Sequence, residues 1–246
     1  MKAVLFDVDD TLYDQVIPFQ KAYEELFKGS FELSIEELYK RSRYYSDEVF
    51  EATQRGEMSM EAMYIYRVQK AFESFGISVT DDEALEFQRL YAGNQKKLEI
   101  SETMRTIIEL CQKHEIMMGV ITNGPSQHQW NKVKALKVME FIREEYIFVS
   151  GDIGVAKPQI GIFQHVEKIM NLNPEETLFI GDTFQSDIIG AKGAGWKAIW
   201  LNRHHAEHPE GNIQADYCIN NEAELYKLVL NFITNGGCLK IDGPLN

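Results

Sequence analysis

Cysteine and basic charge are scarce in this sequence, and no long apolar run occurs in it. Its 246 residues hold three cysteines, Cys111, Cys218 and Cys238, widely spaced and with no Cys-x-x-Cys pair. That spacing argues against a disulfide framework or a zinc site and fits reduced thiols in a cytoplasmic protein. Lys and Arg number 25 against 38 Asp and Glu, a net charge of −13. So strong an acidic balance argues against a nucleic acid polymer or an anionic membrane face as partner. Nothing approaches the roughly eighteen unbroken apolar residues of a membrane span. The amino-terminal apolar run is too soon broken by Asp7 to read as a secretory leader. Repeats and low-complexity tracts are absent. His204, His205 and His208 sit beside Pro209 and Gly211 without a His-Glu-x-x-His pattern, so a loop is expected there, not a metal cluster. Trp130, Trp196 and Trp200 read as packing residues.

What is present is globular: 44% hydrophobic and 26% charged residues, in a chain long enough for an α/β core with a smaller companion. Ala3 to Phe6 is a short run apolar on both faces, as suits a buried strand of a parallel sheet, and it stops in the carboxylates Asp7, Asp9 and Asp10. Glycine then falls to four positions between Pro18 and Lys97. Phe19, Tyr23, Leu26 and Phe27, and later Leu85, Phe87, Leu90 and Tyr91, mark helices. Segment 15–97 is expected to be a separate helical domain inserted into a core formed by 1–14 and 98–246. Within it, Gln54-Arg55-Gly56-Glu57 interrupts the helical pattern and reads as a surface turn, with Arg55 a weaker candidate for substrate contact.

From Ser101 onward strand and helix alternate. Strands are expected at Ile116–Ile121, Tyr146–Val149, Thr177–Asp182 and Lys197–Leu201, with helices between them and a last helix over Glu222–Thr234 that stops at Gly236-Gly237. This alternation predicts a doubly wound parallel sheet. Polar residues stand at three strand ends, Asp7 with Asp9, Thr122 with Asn123, and Asp182. In such a sheet these ends converge on one edge, where ligands bind.

Four features follow in order: Asp7-x-Asp9-x-Thr11, Thr122-Asn123-Gly124, Lys157-Pro158 and Gly181-Asp182-x-x-x-x-Asp187. They resemble the four motifs of the haloacid dehalogenase-like hydrolase superfamily, and the helical insertion resembles its type 1 cap. The wording is similar to phosphatases of the pyrimidine nucleotidase-like kind. The resemblance implies a phosphatase for a small phosphorylated metabolite, such as a nucleoside monophosphate or sugar phosphate, working through an aspartyl-phosphate on Asp7. The chemistry agrees with it. An Asp7 carboxylate at its ordinary pKa of about 3.9 is ionised at neutral pH. Mg²⁺ held by Asp7, the backbone carbonyl of Asp9 and Asp182 would remove its repulsion for a phosphoryl group. Lys157, Thr122 and Asn123 would hold the phosphoryl oxygens. Asp9 would serve as general acid and then base, its pKa raised by Asp7, Asp182 and Asp187. Asp187 would orient metal-bound water or ligate directly, and is also placed to cap a helix.

Other functions share parts of this set. A 2-haloacid dehalogenase has the same nucleophile but lacks the second aspartate, here Asp9. A phosphoglucomutase-like transferase uses both aspartates. A receiver-like binding module also clusters aspartates, a Thr and a Lys, but is about half as long. Nothing in the sequence fixes an oligomeric state.

Overall fold

The computed structural model describes residues 1–49, 52, 53 and 55–234. Gln54, Gly236, Gly237 and Cys238 therefore lie outside the described residues. The chain divides into two compact units, one formed by Met1–Asp14 and Glu99–Asn246 and the other by Gln15–Leu98.

The first unit is a six-stranded, all-parallel sheet in the order β3-β2-β1-β4-β5-β6. Its strands are β1 Ala3–Phe6, β2 Met117–Thr122, β3 Ile147–Val149, β4 Thr177–Gly181, β5 Lys197–Leu201 and β6 Tyr217–Ile219. The doubly wound sheet expected from the alternation is thus present. It starts at its centre, winds outward through β2 and β3, then returns past β1 to lay down β4, β5 and β6. β1 is buried at every position because both of its neighbours and both of its faces are covered. Ala3 and Leu5 face a cluster with Phe179, Ile162, Phe163 and Trp196, while Val4 and Phe6, pointing the other way, are equally buried.

In the helical unit, α1 is Val16–Phe27, α2 Ile35–Glu48, α3 Met60–Glu73 and α4 Asp81–Asn94. Three of these begin on a side-chain cap: Ser34 accepts from Glu37 N, Ser59 from Ala62 N, and Thr80 closes a capping box with Glu83. Their shared core is aromatic. Phe19 packs edge-on against Tyr39, Phe87 and Tyr91, with ring centroids 4.8 to 5.5 Å apart. The stripe of α4 runs through Ala84, Phe87, Leu90 and Tyr91, and Leu85 is only half-buried.

The sheet's helices follow as α5 Glu102–Lys113, α6 Ser126–Ala135, α7 Ser150–Ile153, α8 Ile160–Met170, α9 Ile189–Gly193 and α10 Glu222–Thr234. Ser101 caps α5, its hydroxyl accepting from Met104 N at 3.1 Å. Two expectations need revision. β6 was not foreseen; it is three residues long and only Ile219 of it is buried, so it has no apolar run to announce it. Asp187 does not cap a helix. It lies inside a wide helical turn, Phe184–Ile188, and its carboxylate reaches back to accept from Thr183 N at 3.0 Å.

Trp196 and Trp200 are buried in the core, whereas Trp130 is half-buried and donates to Asp152 at 2.7 Å. Cys111 and Cys218 are free thiols. Among the described residues no helix is long and apolar enough to cross a membrane.

Candidate active site

The carboxyl ends of β1, β2 and β4 bring the sequence motifs of the sheet unit together. Asp7 is the first residue beyond β1, and its N–H continues the ladder to Ile180 O of β4 at 2.9 Å. Asp182 is the first residue beyond β4, and Thr122 ends β2 buried. Asp7, Asp182 and Asp187 offer carboxylate oxygens that all lie within 4.8 Å of one another. Gly181 makes this possible, since a side-chain carbon there would collide with the Asp187 carboxylate.

Lys157 enters between these carboxylates. Its Nζ lies 2.7 Å from Asp7 Oδ1 and 2.7 Å from Asp187 Oδ1, with 1% of its side chain exposed. Asn123 holds it there through a two-bond clasp on the Lys157 backbone: the carboxamide donates to Lys157 O at 2.8 Å and accepts from Lys157 N at 2.9 Å. The Asn123 side chain therefore serves Lys157 directly.

Charge in this cluster is unbalanced. Burial, reinforced by Asp187 and Asp9 and opposed by Lys157, pushes the Asp7 carboxyl up to about 7. Burial, with Asp187, Asp7 and Asp10, likewise raises Asp182 well above the usual carboxylate range. Burial works against the Lys157 ammonium, but Asp187 and Asp7 outweigh it and hold the charge on. The unperturbed Asp7 of the sequence argument is accordingly not what the fold provides. Three carboxylates around one ammonium leave an excess of negative charge on oxygen donors, which suits a hard divalent cation.

Asp9 departs from expectation. The chain leaves the extended form just past β1, where Leu12 N donates to Val8 O at 3.0 Å, and the Asp9 side chain goes to a different cation. Lys132 Nζ sits 2.7 and 2.6 Å from its two oxygens, Tyr13 Oη donates to it at 2.6 Å, and Gln129 Nε2 lies at 3.3 Å. Burial alone would raise the Asp9 carboxyl, yet Lys132, Tyr13 and Gln129 together hold it below its ordinary value. This reverses the rise anticipated from the neighbouring aspartates. Gln129 and Lys132 share one face of α6, three residues apart, and Tyr13 follows Asp9 by four.

Arg203, also unforeseen, fixes the loop after β1 by donating to Asp10 O at 2.8 Å and to Thr11 O at 3.0 Å, and it pairs with Glu222. Of the loop histidines, His204 Nε2 lies 3.4 Å from Asp10 Oδ2, and Asp10, Asp14 and His204 form a second group close enough to share an ion. His208 packs edge-on against Trp200. In the helical unit, Arg55 is exposed and bonded to Glu57 at 2.8 Å.

Comparison with known proteins places this geometry in a lineage. Residues 1–195 match the family model described as haloacid dehalogenase-like hydrolase. A glyceraldehyde 3-phosphate phosphatase of Methanothermobacter thermautotrophicus is 28% identical over 218 residues, 87% of this chain and 91% of that one. Pyrimidine 5'-nucleotidase YjjG of Escherichia coli is 35% identical over 113 residues, 46% of this chain and 49% of that one. Among solved structures, the putative HAD-hydrolase YfnB of Bacillus subtilis, bound to magnesium, matches with a TM-score of 0.64 and 25% identity over 93% of this chain and 98% of that one. With its four motifs carried on this parallel sheet and its first 195 residues matched, the chain belongs to the haloacid dehalogenase-like hydrolases.

Proposed function

We propose that this hydrolase is a Mg²⁺-dependent phosphatase that removes the phosphoryl group of a small phosphorylated metabolite, with Asp7 as nucleophile. The observation that carries the reading is the buried Lys157 ammonium, 2.7 Å from both Asp7 and Asp187 and beside Asp182 at the sheet's carboxyl edge. Relatives named for glyceraldehyde 3-phosphate and for pyrimidine 5'-nucleotides support a phosphomonoester substrate.

The all-oxygen donor set fits magnesium, with Asp7, Asp182, Asp187 and the backbone carbonyl of Asp9 as its holders. The bound ion would supply the neutralisation that lets one anion approach another. Asp7 attacks phosphorus through a carboxylate oxygen; the Asp7–phosphorus bond forms while the bond to the leaving oxygen breaks. Lys157 and the Thr122 hydroxyl bind the phosphoryl oxygens as charge spreads over them. Asn123 positions Lys157 through its clasp. Asp9 gives a proton to the leaving oxygen, then takes one from the water that releases phosphate from Asp7. The ionised Asp9 held by Lys132 suits the second step. For the first, its carboxyl must come away from Lys132, because a carboxyl bound to an ammonium does not keep its proton at neutral pH.

The helical unit, the counterpart of the family's cap, would select the substrate. Phosphate release measured across phosphorylated metabolites, with Mg²⁺ or with chelator, tests the proposal. Turnover is expected only with the metal and should vanish in Asp7→Asn. Turnover that survives either change would overturn it.

A further inference from the structure

Three cations are buried among the described residues, Lys132, Lys157 and Arg67. The first two are matched by carboxylates. Arg67, on α3 of the helical unit, is not. It is 8% exposed and its polar partner is the neutral carboxamide of Gln88 on α4. It also lies over the Tyr64 ring, 5.3 Å from the centroid. Among the described residues no carboxylate forms an ion pair with it, and its Nε is buried with no hydrogen-bond partner.

Among the described residues, the charged side chain that acts on it is another cation. Burial first, and then Arg43 of α2, hold the Arg67 guanidinium below its ordinary range. A guanidinium cannot escape burial by losing its proton, so burying one without an anion is costly. The Gln88 amide oxygen meets Nη2 and leaves Nε as the buried donor without a partner. The unmatched Nε belongs to the edge of the guanidinium that pairs with two oxygens at once in carboxylates and phosphates.

We propose that Arg67 is the anchor of an anion-binding site within the helical unit, taking the carboxylate or phosphoryl oxygens of a small metabolite. This concerns the helical unit alone and does not depend on Asp7 or on phosphatase activity. The test uses the full-length protein labelled with ¹⁵N-arginine, in chelator. The Arg67 Nε–H signal is identified by its loss in Arg67→Lys and, independently, in Arg67→Met. Inorganic phosphate and malonate are titrated separately, with chloride at matched ionic strength as control. A saturable shift of the Arg67 signal is expected with an oxyanion and not with chloride. Saturation by phosphate alone identifies a phosphoryl ligand, and by malonate alone a carboxylate. If neither oxyanion shifts the signal beyond the chloride control, Arg67 is a packing residue held by Gln88 and Tyr64, and the proposal falls.

Discussion

Replacing Lys157 with methionine, which keeps length and removes charge, isolates the electrostatics of the carboxylate cluster. The wild-type ammonium contacts Asp7 and Asp187 at 2.7 Å each, and 1% of the Lys157 and Asp187 side chains is exposed. Removing one partner of such a buried pair costs roughly 3–5 kcal/mol, because the other charge stays behind. The cost must depend on pH. Asp7 in the folded chain titrates at about 7 against 3.8 in the unfolded one, so the folded state binds the extra proton between those values. The stability tied to that group is fully present below the unfolded pKa and declines as pH rises through the folded one, by at most about 4 kcal/mol. Without Lys157 the carboxyls keep their protons to higher pH still. The deficit of Lys157→Met should therefore be largest near pH 8 and shrink toward about pH 5. Urea unfolding followed by circular dichroism, in chelator, reads it directly. A deficit below about 1 kcal/mol near pH 8, or one that is the same at both pH values, would refute Lys157 as the counter-ion of this cluster.

Lys132→Met should lower kcat by up to roughly 10²-fold with little change in KM, since the acid and base step depends on where Asp9 is held. An unchanged kcat would show that the Lys132 contact is idle. Mg²⁺ should raise the melting temperature more near pH 8 than near pH 5, because the metal competes with protons for Asp7 and Asp182. Equal gains at both would argue against those ligands. Gly181→Ala forces a methyl into the Asp187 carboxylate and should cost about 1–3 kcal/mol in denaturant unfolding, with weakened metal binding in calorimetry. A neutral result would mean that the Asp187 turn yields without cost.

The parts of the site that lie at strand ends were legible because a parallel sheet obliges them to meet. Asp7, Thr122 and Asp182 each follow or end an apolar run, and β1 lies between β2 and β4. Lys157 could be read for its place in the motif order, but not that Asn123 would clasp its backbone, which is set by two loops 34 residues apart in sequence. Lys132, Gln129 and Tyr13 were invisible for a different reason. A lysine and a glutamine on a polar helix face ordinarily meet water, and only the turn of the chain after Phe6 brings Asp9 to them. The helix expected to start at Asp187 failed on local grounds: aspartate is a common cap, yet here the carboxylate is needed by Lys157 and Thr183 N. Arg67 shows the same limit in the helical unit, where its neighbours in sequence, Tyr66 and Val68, say nothing of its burial.

The measurement that bears most directly on the central claim is chemical trapping at Asp7. Borohydride added during turnover of p-nitrophenyl phosphate with Mg²⁺ reduces an aspartyl-phosphate to homoserine, which mass spectrometry of the amino-terminal peptide detects at position 7. The account predicts that conversion at Asp7 and none when substrate or metal is withheld. Phosphate release that proceeds with Asp7 unmodified, or with reduction at another aspartate, would contradict it.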